Sequence, residues 1–142
     1  MRIVIDTNVV ISAFLSPSGA PAQVLSYLEQ DAFELLVSDP ILDEYLRSLS
    51  YPKLRALHGM DDDSLEQVVN DLRSTAIAVE SIESLKVVAQ DPDDDKFFEC
   101  AVAGDASYIV SGDTGVQAVG EYRGIRVVSP AMFVALLSNG LA

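Results

Sequence analysis

The chain has 142 residues, 49% of them hydrophobic and 22% charged, with a net charge of −13. That length predicts about one domain with a substantial core, and the composition excludes a disordered tail or a coiled coil. One cysteine, Cys100, and one histidine, His58, exclude a disulfide framework, a Cys- or His-based zinc site and a two-histidine mechanism.

Ile3-Val4-Ile5 is the first strand run and ends at Asp6. A helical pattern follows over 8–15, then a Ser16-Pro17-Ser18-Gly19 turn and a second helix over 21–30. Leu35-Leu36-Val37 is the second strand. Asp39-Pro40 opens a helix, with the acid as N-cap and the proline at the first helical position. Apolar residues at 41, 42, 45, 46 and 49 carry it to Leu49, where Tyr51-Pro52 interrupts. Residues 61–73 form an amphipathic helix behind an acidic start. A short third strand spans 76–79, and the loop 87–95 feeds a helix over 94–103 that Gly104 closes. Tyr108-Ile109-Val110 is the fourth strand, 114–119 a short helix and 125–128 the fifth strand. Ser129-Pro130 starts a last helix through Leu137.

Short β-branched runs alternating with helices predict an α/β fold: a three-layer α/β/α sandwich on a five-stranded parallel sheet, one domain over 1–142. Met1–Asp6 reaches a charge after three apolar residues, too few for a signal-peptide core. No apolar run approaches the ~18–20 residues that span a bilayer, so a cytoplasmic location without membrane contact is expected. His58 is expected at the surface and Cys100 in the core.

With 22 Asp and Glu as almost the whole catalytic inventory, any chemistry here is carboxylate chemistry. Residues 61–100 contribute nine of the thirteen net negative charges, which argues against simple electrostatic wrapping of nucleic acid. A local basic cluster of Arg47, Lys53 and Arg55 survives near residue 50.

In open α/β sheets ligands bind outside the carboxyl ends of the strands, and acids fall at that edge repeatedly. Asp6 follows the first strand, Asp113 the fourth, Asp43 and Glu44 lie in the helix leaving the second, and Asp94 and Asp95 open the helix that leads to the fourth. Each has a plainer role available: Asp6 as a helix cap, Asp91–Asp95 as a helix start, Asp113 as a turn acid, Glu44 as surface. Helical phase places Glu44 and Asp43 each about 130° from the apolar face, on opposite sides, and does not choose between them. Their shared edge favours a common site.

Asp6-Thr7-Asn8-Val9 after an N-terminal strand, the helical Glu44, the helix containing Asp95, and Ser111-Gly112-Asp113 after a later strand together resemble a PIN domain. The resemblance runs to the closing Val127-Val128-Ser129-Pro130 and is greatest to VapC-type toxins of prokaryotic toxin–antitoxin pairs. It implies a metal-dependent ribonuclease whose acid quartet is Asp6, Glu44, Asp95 and Asp113. It also implies homodimers and neutralisation by a cognate antitoxin. Many members carry another acid two residues past the position of Asp113, where this chain has Gly115. The triple Asp93-Asp94-Asp95 leaves the third acid open; the family's separation of 18 residues from Asp113 favours Asp95, with Asp94 as a cap or supporting group.

Carboxylate-only sites suit Mg²⁺ or Mn²⁺, hard cations that keep several waters; one or two ions are expected. Such an ion activates and orients water for attack on phosphorus. Thr7, Asn8 and Ser111 would hold carboxylates and water in place, or else act as local caps. A metal inverts the sign of the pocket, so only a small basic rim need contact RNA; Arg47, Lys53 and Arg55 are the candidates, with plain solvated surface as the alternative. Two rivals remain. A receiver-type phosphoacceptor domain would need an acidic pair after the first strand and a lysine after the last, and Ser129-Pro130 stands there instead. A catalytically silent PIN-like module that binds RNA or serves as a scaffold is the other.

Overall fold

Ile3, Val4 and Ile5 have no exposed surface, because their run lies at the middle of a parallel sheet covered on both faces. The computed structural model describes residues 1–140. Its strands are β1 (Arg2–Ile5), β2 (Glu34–Val37), β3 (Ile77–Ala78), β4 (Tyr108–Val110), β5 (Glu121–Tyr122) and β6 (Ile125–Val128). They lie in the order β3-β2-β1-β4-β6-β5. The first five of these pair in parallel, with Ile3 opposite both Leu35 and Tyr108, and Val110 opposite Val128.

The five expected strands are all present, and a sixth was not expected. β5 runs antiparallel to β6 at the sheet edge, joined by Arg123-Gly124. Both linking residues have positive φ, 50° and 83°, the backbone of a two-residue hairpin turn. Arginine at the first of these positions is a weak sequence signal, since Asn, Asp or Gly is the usual occupant.

The helices are α1 (Thr7–Leu15), α2 (Ala20–Glu29), α3 (Asp39–Leu49), α4 (Pro52–His58), α5 (Asp62–Thr75), α6 (Asp95–Ala103), α7 (Thr114–Gln117) and α8 (Pro130–Ser138). Ser38, not Asp39, holds the N-cap position of α3, so Asp39 and Pro40 are its first two residues. α1 packs on α2 and α3, α3 on α5 and α6, and α2 on α8. α6 also lies against the sheet; a Cβ on Gly104, just past its end, would sit 2.4 Å from Leu36 Cδ1. Any side chain there would force Leu36 to shift, so the close approach of α6 to β2 favours glycine.

α4 has no buried residue, so it leaves no apolar periodicity to read. Side chains bracket it instead. His58 Nε2 donates to Leu49 O at 2.8 Å, and His58 Nδ1 accepts from Met60 N at 3.0 Å. Arg55 donates to Ser50 O at 2.9 Å and pairs with Asp62 at the start of α5. His58 is thus a half-buried bracket between α3 and α4 rather than a plain surface residue, while Cys100 is in the core.

The chain builds outward from β1 through β2 to β3, then returns to the other side of β1 with β4. The carboxyl ends of β1 and β4 are consequently the topological switch point, where open α/β sheets bind ligands. No single helix among the described residues is long and apolar enough to cross a membrane.

Candidate active site

Asp6 leaves β1 at the switch point. It holds the N-cap position of α1, yet its carboxylate makes no capping hydrogen bond. Instead Oδ2 accepts from Ser111 Oγ at 2.6 Å and from Asn8 Nδ2 at 3.5 Å. Asn8 Oδ1 in turn accepts from Gly112 N at 3.1 Å, and Asp6 N donates to Val110 O at 2.9 Å. These bonds stitch the loop after β1 to the loop after β4. Asp6 is 4% exposed, and burial is the main reason its pKa is pushed up to about 6. Hydrogen bonds from Ser111 and Asn8 work against the rise, and the charges of Glu44 and Asp113 add to it.

Glu44 reaches the same edge because α3 is tied to the end of β1. Tyr45, fully buried, donates its hydroxyl to Ile5 O. That contact fixes the helix rotation which phase alone left open: Glu44 turns inward and Asp43 stays exposed. Thr7 Oγ1 donates to Glu44 Oε2, and Lys96 Nζ donates to Glu44 Oε1 at 2.7 Å. Arg47 lies 4.0 Å from the same oxygen. Lys53 is exposed, and Arg55 is committed to the α4 bracket described above. Sequence reasoning passed over Lys96; its one signal was a lysine directly behind three aspartates. Burial opposes its charge, but the hydrogen bond to Glu44 and the charges of Glu44 and Asp93 outweigh that and hold its pKa above the ordinary lysine value.

Asp94 and Asp95 differ in their surroundings. Asp95 is buried, and its Oδ1 accepts from Val87 N at 3.0 Å and Val88 N at 2.8 Å. Together with Glu99, which accepts from Leu85 N at 2.9 Å, it pins the irregular segment 79–91 against α6. Asp94 instead interacts with the central acids. Its pKa is raised to about 7, first by burial and then by the charges of Asp6, Asp91, Asp113 and Glu44. A 3-10 turn over Pro92–Asp94 precedes α6, so Asp94 lies just outside the helix expected to begin with it. Counting spacing back from Asp113 could not register that turn.

Asp113 caps α7, its Oδ2 accepting from Val116 N at 2.9 Å, and its own N–H donates to Ser111 Oγ at 3.0 Å. Ser111 thereby links Asp6 and Asp113 through one hydroxyl. A Cβ on Gly115 would stand 3.1 Å from Asp113 Oδ2, so a side chain there would press on this carboxylate. A cleft of about 360 Å³ opens beside the pair, lined by Asn8, Ser12, Gly112 and Asp113 among others. A larger groove of about 470 Å³, floored by Phe14, Leu25, Leu28 and Leu72, lies apart from these acids. The site is read at the acids because buried Asp6 and half-buried Glu44, Asp94 and Asp113 gather there, and Asp6 and Asp94 are not spent on capping their helices.

The donor chemistry fits a hard divalent cation: carboxylate oxygens, with Asp6 and Asp94 raised in pKa first by burial and then by the charges of neighbouring acids. Among the described residues no Lys, Arg or His nitrogen lies within salt-bridge distance of Asp6, Asp94 or Asp113. No three acidic, His or Cys side chains among the described residues stand close enough to hold an ion by themselves.

A family model described as PIN domain matches residues 2–115, a span that includes all these acids. The chain is 30% identical over 113 residues to Uncharacterized protein MJ1680 of Methanocaldococcus jannaschii, covering 80% of this chain and 71% of that one. It also superimposes on the crystal structure of PAE2754 from Pyrobaculum aerophilum with a TM-score of 0.64 over 97% of this chain and 95% of that one. At 12% identity, that likeness shows the shared fold alone.

Proposed function

The chain belongs to the PIN-domain family, whose members are generally nucleases, and on that premise we propose that it is a metal-dependent endoribonuclease, the toxin of a toxin–antitoxin pair. The observation that carries the reading is the behaviour of Asp6 and Asp94. Both hold helix N-cap positions and neither caps its helix, while burial and mutual repulsion push both pKa values up. Acids kept for stability would cap their helices or pair with a basic side chain, and neither acid does so, which supports a cation as their partner.

Asp6, Asp94 and Asp113 are the residues that would hold Mg²⁺ or Mn²⁺, with Glu44 beside them. When bound, such an ion lowers the pKa of water and neutralises charge on the leaving oxygen of a phosphodiester. Ser111 and Asn8 keep the Asp6 carboxylate aimed, and the α7 cap fixes Asp113. Arg47 and Lys53 are the basic side chains that would meet an RNA backbone. A cognate antitoxin would supply an arginine or lysine to the same acids, and a homodimer is the assembly expected of such a toxin.

A silent RNA-binding module is favoured by one observation, the absence of a closed triad of ligands among the described residues. The two readings separate in a cleavage assay. Purified protein with Mn²⁺ or Mg²⁺ is expected to cut RNA internally, and EDTA to stop it. RNA bound but left whole under all these conditions would instead identify a binding module.

A further inference from the structure

The acidic edge carries a cation of its own. Lys96 Nζ lies 2.7 Å from Glu44 Oε1 and 3.3 Å from Asp93 Oδ1, and its side chain is only 11% exposed. It sits in the first turn of α6, where the helix dipole disfavours positive charge. A lysine at so unfavourable a place is held there by the acids it neutralises. Both oxygens of Glu44 are already used, Oε2 by Thr7 Oγ1 and Oε1 by Lys96.

We propose that Lys96 is a resident counter-ion that withholds Glu44 from direct ligation, so that the centre takes one divalent ion and not two. This rests on the reading of the edge as a metal centre. Paired-ion sites place their ions about 3.5–4 Å apart and need carboxylates on both. Here Asp6, Asp94 and Asp113 lack any cationic partner among the described residues, whereas Glu44 is matched by the ammonium. Fully ionised, these three carboxylates carry a charge of −3, which one divalent ion reduces to −1. A second ion would have to displace the ammonium from Glu44 and sit against its charge. Lys96 is thus a positioning residue: it sets how many ions the acids accept and keeps the fourth acid at the edge of the ion's surroundings.

The test counts Mn²⁺ bound per chain, by titration calorimetry and by the spectroscopic signal of the ion left in solution. Wild type and Lys96→Arg are expected to bind one ion, and Lys96→Gln to gain a second at millimolar Mn²⁺. Two ions on the wild type, or a folded Lys96→Gln protein that still binds one, would overturn the inference. The wild-type count stands whether or not the glutamine variant folds. Binding of no ion by the wild type would remove the metal reading itself and this inference with it.

Discussion

Asp94→Asn is expected to lower metal-dependent RNA cleavage by at least about a hundredfold, while Asp95→Asn stays within about tenfold of wild type. The first figure corresponds to roughly 2.7 kcal/mol of barrier, within the several kcal/mol that a divalent ion supplies to phosphoryl chemistry. Asp94 has no capping bond to lose and faces Asp6 and Asp113 electrostatically, so the substitution removes charge from the centre and little else. Asp95 is different. Its Oδ1 satisfies the amides of Val87 and Val88, an acceptor that asparagine retains and alanine does not. Asp95→Ala should therefore cost about 2–3 kcal/mol of stability by leaving buried donors unpaired, read in denaturant titration. Single-turnover cleavage of one labelled RNA by the two asparagine variants decides the assignment. An Asp95→Asn protein that folds normally but loses all activity, beside an active Asp94→Asn, would restore the assignment drawn from spacing.

The second large effect is on stability without metal. Asp6 titrates near 6 in the fold against an ordinary value of 3.8, and Asp94 near 7 against the same value. Between those limits the folded protein binds more protons than the unfolded chain, so the slope of unfolding free energy with pH is negative. The protein should lose stability from about pH 4 to about pH 7 and change little from these groups above that. For buried Asp6, a rise of about two pKa units corresponds to roughly 3 kcal/mol. In EDTA at pH 8, Asp6→Asn is then expected to melt about 5–10 °C above wild type, using the usual entropy scaling for a domain of this size. The gap should close below about pH 4, where Asp6 is protonated in the folded and the unfolded chain alike. An Asp6→Asn protein that melts below wild type at pH 8 would mean that the carboxylate is a structural group. Acidity elsewhere on the chain is common to both proteins and cancels in the comparison.

The strands and most helices are legible in the sequence because their signals are local. A three-residue run such as Ile3-Val4-Ile5 can be buried on both faces only as a central strand, and Ser129-Pro130 announces its helix through a cap bond to Met132. What escapes is what long-range contacts decide. α4 has no apolar face, and its bracket joins residues nine apart in the chain. The choice of Glu44 over Asp43 follows from the hydroxyl of Tyr45 meeting Ile5 O, 40 residues away. Asp94 and Asp95 differ only by a single 3-10 turn and by which loop amides lie within reach. The ion pair of Lys96 with Glu44 spans 52 residues and leaves no trace in either local pattern.

The central claim, that these carboxylates form a cation site, is tested most directly by the change in melting temperature that Mn²⁺ produces at pH 8. An ion that binds only the fold stabilises it by about 2.7 kcal/mol at a hundredfold excess over its Kd. For wild type this should appear as a rise on the order of 5–15 °C over the same protein in EDTA. Asp6→Asn and Asp94→Asn should each start higher in EDTA and rise far less with Mn²⁺. Equal responses to Mn²⁺ in all three proteins, or none in the wild type, would contradict the account.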